Sequence, residues 1–161
     1  MTSRAQFKKE IIIQAKSYHN RLRNDLVKEW GRHALNDVEV TNIGRQLLGN
    51  KYRGTFPQDR APFTNRSKYF IINVDKSGFP GSHWVAIYQD NNKTMYVYDS
   101  FARPSKRLLP HLYDKAKAGG YKLINVNRRS DQCKKTNICG PISLAFLKAT
   151  EMFGIDATRH I

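Results

Sequence analysis

The stretch "NICGPISLAFL", residues 137–147, sets a cysteine just before Gly-Pro and an apolar run. A thiol in the first turn of a helix meets unpaired backbone N–H groups and the positive end of the helix dipole. These favour the thiolate by about 0.3 to 1 kcal/mol at an exposed site. That bias does not bring a thiol of pKa about 8.5 far below neutrality, so a reactive Cys139 needs a cation beside it. His83, which opens the segment "HWVAIYQD", could supply one as imidazolium. Asp99, which ends "TMYVYD", could orient that ring and stabilise its charge. In a hairpin turning at Asn91 and Asn92, positions 83 and 99 fall nearly opposite each other, acid beside histidine. Gln132, in the polar segment ahead of Cys139, could aim its amide at an oxyanion together with the Cys139 backbone N–H. The four residue types are those of a cysteine peptidase. Each alone has a plainer reading: a small buried thiol, a strand-edge histidine, an aspartate closing a strand, a solvated glutamine. Cys133 reads as packing or a spare thiol, and His19, His33, His111 and His160 as surface or helix-capping residues without metal-ligand spacing.

Positioning these groups is the task of an α+β domain. Residues 5–35 carry Ile11, Ala15, Tyr18, Leu22, Leu26 and Trp30 at three or four residue steps, a helical pattern that Gly31 interrupts. A second helix fits "NDVEVTNIGRQLLGN", capped by Asn36 or Asp37 and stopped by Gly49. Residues 51–67, with Gly and Pro and no period, are expected as loop or short extended chain. Three segments rich in β-branched and aromatic residues, 68–75, 83–90 and 94–101, read as strands, the last two forming a hairpin. Residues 105–120 read as a helix with Ser105 as cap, and Pro110 must sit near a first turn or kink it. A further strand over 121–127 and a final helix over about 139–153 complete the chain. No repeat or linker divides residues 1–161, which are expected as one peptidase domain with a helical arm, 1–34, and a catalytic core, 35–161.

Composition narrows the setting. With 161 residues and 40% hydrophobic content, the chain can bury a core without disulfide or metal staples. Two cysteines are too few for a secreted disulfide framework or a four-ligand zinc site, and the run Ile11–Ile13 is too short for a signal segment or membrane span. A soluble, reducing, unexported setting is expected. The net charge of +15, from 28 Lys and Arg against 13 Asp and Glu, points to a polyanionic partner, most simply nucleic acid.

The segments "GSHWVAIY", "YVYDSF" and "QCKKTNICG", in the order His, Asp, Gln, Cys, resemble the adenovirus maturation protease (adenain-like) family of cysteine peptidases. Its relatives occur in virophages, Polinton-like elements and large DNA viruses, and it is distantly akin to the SUMO-deconjugating peptidases. The text "LNDVEVTNIGRQLLGNKYRGTFPQDRAP" is similar to the leading region of these enzymes, so the resemblance runs from about Leu35 to Phe153. It departs at "DSFARPS", where relatives often carry glycine after "DSF". The resemblance implies a papain-like fold with a mostly antiparallel central sheet flanked by helices and the nucleophile at the N-terminus of a core helix. It implies Cys139 as nucleophile, His83 as general base and acid, Asp99 as orienting acid, Gln132 as oxyanion donor, and Trp84 packed beside the site. The expected activity is a viral maturation endopeptidase acting on capsid protein precursors. It needs no metal or cofactor for the chemistry, with DNA or a peptide as candidate activator. A monomer in the virion and infected cell, without membrane attachment, goes with it. A ubiquitin-like-modifier (SUMO-type) deconjugase and a non-catalytic, basic nucleic-acid-binding protein of this fold are the alternatives.

Overall fold

The computed structural model describes residues 3–64, 66, 68–75, 83–126 and 138–161. Its first helix, α1 (Arg4–Trp30), is a single run in which Ser3 caps the N-terminus by accepting from Gln6 N–H at 3.1 Å. It is continuous with the rest of the molecule. Ala15, His19 and Leu26 are buried, and Tyr18 meets Phe153 with ring centres 5.5 Å apart. Helix α2 (Asp37–Leu48) starts with a capping box. The Asn36 side chain accepts from Glu39 N–H at 2.8 Å, and the Glu39 carboxylate accepts from Asn36 N–H at 3.1 Å. Gly49 ends it at a φ of 59°, a backbone conformation that suits glycine.

Five strands follow: β1 (Tyr52–Pro57), β2 (Tyr69–Asn73), β3 (Trp84–Gln89), β4 (Thr94–Tyr98) and β5 (Lys122–Asn125), lying side by side in chain order. The sheet is mixed, which corrects the expectation of a mostly antiparallel one. β3 runs antiparallel to both neighbours, whereas β1 is parallel to β2 and β4 to β5. Parallel neighbours need a crossover. Residues 58–68 provide one, and α3 (Ser105–Leu108) with α4 (Pro110–Ala118) lies in the other. The expected single helix over 105–120 is thus two, broken at Leu109 so that Pro110 takes the first position of α4. Ser105 is inside α3 rather than its cap, and its N–H donates to the Asn125 side chain at 3.1 Å.

Helices α5 (Cys139–Phe153) and α6 (Ile155–Thr158) close the chain. Strand alternation sends side chains to two separate cores. Ile71, Trp84, Ala86, Tyr96 and Tyr98 meet α5, α2 and the C-terminal half of α1. Phe70, Ile72, Val85, Ile87, Met95 and Val97 pack with Leu109 and Leu112 on the opposite face. Helix α5 is almost wholly buried, including Leu144, Phe146 and Leu147, and so forms a fixed post under its own N-terminus.

Candidate active site

Cys139 is the first residue of α5 and is 9% exposed. The N-cap residue Ile138 makes no side-chain cap bond, and Pro141 carries no N–H, so Cys139 and Gly140 hold the first-turn donors. Space behind the thiol is tight: a Cβ on Gly140 would lie 3.1 Å from Leu35 and 3.4 Å from Trp84. Trp84 is itself pinned, its indole N–H donating to the Leu35 carbonyl at 2.9 Å and its carbonyl accepting from the Ser143 hydroxyl at 3.1 Å. These contacts tie the α1–α2 junction, β3 and α5 together around the sulfur.

His83 immediately precedes β3. Its carbonyl accepts from Val74 N–H at 3.0 Å, and the Val74 carbonyl accepts in turn from the Gln58 side-chain amide. Gln58 is buried and takes the His111 N–H on its other end at 3.2 Å. Helix α4 and the residue after β1 thereby hold the exit of β2, to which the entry of β3 at His83 is bonded.

The His83 ring meets Asp99 through Nε2 and the Oδ1 atom, both residues being buried. The pairing is diagonal. Ala86 faces Tyr98 and Gln89 faces Met95, so position 99 falls opposite 85, two residues from the register expected in the sequence. The turn is the reason. Asp90 N–H donates to the Thr94 carbonyl at 2.9 Å, and the Asp90 carboxylate accepts from Asn92 and Thr94 N–H at 2.8 and 2.9 Å. Lys93 completes the turn in the left-handed region, at φ 58°. With Nε2 turned to the carboxylate, Nδ1 is the ring nitrogen left for a thiol, and His83 and Cys139 are close enough to shift each other's pKa.

The electrostatics fit an acid–imidazole–thiol relay. Burial disfavours the charged imidazole, but hydrogen bonds to Asp99 and Cys139 outweigh it and raise the His83 pKa above the usual histidine range. Burial also pushes the Cys139 thiol up. The hydrogen bond and charge of His83, with the N–H groups of Trp84 and Gly140, bring it to a net depression. Asp99 loses solvation as well, yet its bonds from His83 and Arg103 lower its pKa to about 2.

Three of the four residues read from the sequence, His83, Asp99 and Cys139, are therefore brought together, and Trp84 packs beside them. Gln132 and Cys133 lie outside the described residues. Arg103 and Phe101 were not singled out. Arg103 donates to Asp99 through its backbone N–H and its Nε, and the Phe101 ring stands 5.3 Å from that of His83. The only trace in the sequence is a cation four positions after an acid, which on an exposed helix means little. His19, read as a surface or capping residue, is fully buried and meets Tyr98 edge-on at 6.0 Å. The stripe of α1 facing α5 includes it, and the helical period that placed Ala15 and Leu22 inward did not extend to a polar residue.

No family model matches the chain, and no curated protein is significantly similar to it. Among the described residues, no group of three or more His, Cys, Asp and Glu could hold a metal ion, and no helix is long and apolar enough to cross a membrane.

Proposed function

We propose that the chain is a cysteine endopeptidase of adenain-like, papain-like type that cleaves capsid protein precursors during virus maturation. The observation that carries the reading is the buried His83 ring bonded to Asp99 and electrostatically coupled to Cys139, the first residue of α5. The Cys139 thiolate attacks the scissile carbonyl and forms a C–S bond. The Cys139 N–H and the Gln132 amide hold the resulting oxyanion. Collapse of the tetrahedral species breaks the C–N bond, and the leaving nitrogen takes the Nδ1 proton of His83. Water, giving its proton back to Nδ1, then adds to the thioester and releases the acid and the thiolate. Asp99 holds Nε2 throughout, so the ring keeps the orientation both transfers require. The chemistry asks for no metal.

The +15 charge supports DNA as a second partner and activator, within the virion and the infected cell. Affinity for duplex DNA that falls linearly in log K against log salt is the expected result, and indifference to salt removes the phosphate-contact mechanism. For the peptidase, the test is incubation with the capsid proteins encoded beside it, with fragments read by mass spectrometry. Cleavage is expected with the parent and absent with Cys139→Ala. Cleavage that persists in Cys139→Ala, or a Cys139 that iodoacetamide alkylates at neutral pH no faster than an unfolded-peptide thiol, ends the reading.

A further inference from the structure

The chain leaves β4 through a turn built around Asp99. Ala102 N–H donates to the Asp99 carbonyl at 2.7 Å, and Ala102 itself sits at φ 56°, in the left-handed region. That single reversal brings Arg103 back over the carboxylate. Arg103 N–H reaches Oδ2 at 3.0 Å, its Nε reaches the same oxygen at 2.9 Å, and Nη2 approaches Oδ1 at 3.4 Å. His83 occupies Oδ1. Asp99 is 1% exposed in its side chain, whereas the Arg103 side chain is 44% exposed, so a buried anion is held from the solvent side by a permanent cation. Phe101 lies between the two arms of this arrangement: the guanidinium carbon is 4.9 Å from its ring centre, and the His83 ring is 5.3 Å from it on a 34° tilt.

We propose that Arg103 is a positioning residue of the site, clamping Asp99 chiefly through Oδ2 so that Oδ1 is turned to His83 while the guanidinium shares the negative charge that the imidazole meets. The assignment rests on the peptidase reading. Two consequences follow from the geometry. A buried carboxylate loses a compensating positive charge whenever a titrating histidine beside it gives up its proton. Arg103 cannot lose its charge, so Asp99 stays ionised through both proton transfers. A carboxylate facing imidazolium alone would also hold its proton too firmly for transfer to a leaving amine, and sharing the charge moderates that grip. Among the described residues, Arg103 from the turn after β4 and Cys139 from α5 face this pair.

The test uses Arg103→Met, which keeps a stem without charge, and Arg103→Lys, which keeps charge without the fork. Turnover of a cleaved precursor peptide is measured against pH, and the rate of Cys139 alkylation by iodoacetamide is measured at neutral pH. In Arg103→Met the alkaline limb, where the imidazolium deprotonates, is expected to move up by about half a unit to one unit. Turnover is expected to fall about 10-fold, short of the roughly 10²-fold cost of a 1 Å misplacement. Arg103→Lys is expected to restore the limb and leave turnover low. A folded Arg103→Met with the parental limb and turnover overturns the proposal. Should that variant fail to fold, Arg103→Lys decides, since full parental turnover without the fork is equally fatal. A parent whose Cys139 shows no enhanced reactivity sinks the peptidase reading instead, whatever Arg103 does.

Discussion

At the scale of single residues, chemistry and backbone conformation put different constraints on the chain between Tyr98 and Ser105. Asp99 and His83 were legible because a reactive thiol needs those types and because both stand at strand ends. The role of Arg103 was not legible, since it depends on Ala102 adopting φ 56°, which no residue type at that position announces. An L-residue there costs about 1 to 2 kcal/mol relative to right-handed backbone, and glycine does not incur it. Glycine gives back about 0.5 to 1 kcal/mol through the greater freedom of its unfolded chain. Ala102→Gly is therefore expected to raise stability by about 0.5 to 1 kcal/mol, read from the urea midpoint at constant slope. A lowered midpoint would show that the turn is not strained.

At the scale of elements, the segments with a clear period were found and those broken by backbone irregularity were not. The capping box at Asn36 and the stop at Gly49 bracket α2 as the sequence indicated. β1 was read only as loop or short extended chain because its register slips between Tyr52 and Gly54, where Gly54 takes φ 144°, and the bulge breaks the alternation by which a strand is recognised. The hairpin was found but its register was off by two, because the Asp90 side chain and the left-handed Lys93 build a longer turn than Asn91-Asn92 alone. How α2 meets β1 also has a measurable consequence. A Cβ on Gly44 would stand 2.6 Å from the Tyr52 ring. That ring cannot retreat freely, since its hydroxyl bonds Thr55 at 2.6 Å and Thr55 bonds Thr41 at 2.8 Å. Replacing helical glycine by alanine ordinarily gains about 1 kcal/mol, while overpacking costs about 1 to 3 kcal/mol. Gly44→Ala is expected to destabilise by about 1 to 2 kcal/mol in chemical denaturation, against the helix-propensity trend. A stabilised variant would show that α2 slides away from β1 at no cost.

At the scale of the whole molecule, the first helix couples to the acid strand through a buried histidine. His19 lies against Tyr98, which stacks on Phe146 of α5 at 4.4 Å and precedes Asp99 in the chain. Burial, with some help from the charge of Arg23, lowers the His19 pKa from 6.5 to about 4. The folded protein then keeps this ring neutral where the unfolded chain protonates it, so the unfolded state binds more protons between these values. Stability is fully present above pH 6.5 and falls as pH drops toward 4. Asp99 acts in a different window. Its folded pKa of about 2 lies below the ordinary 3.8, so its contribution is present above 3.8 and lost only as pH falls toward 2. His83 is shifted upward, so its contribution is present below the ordinary 6.5 and lost as pH rises through the folded value. Of these three groups, only His19 loses stability between pH 6.5 and 4. Urea unfolding at pH 7 and at pH 4.5 should differ by about 2 to 3 kcal/mol more in the parent than in His19→Leu. An equal acid loss in parent and variant would mean that α1 lifts from α5 and admits water before the ring must charge, which would make the first helix a separable arm.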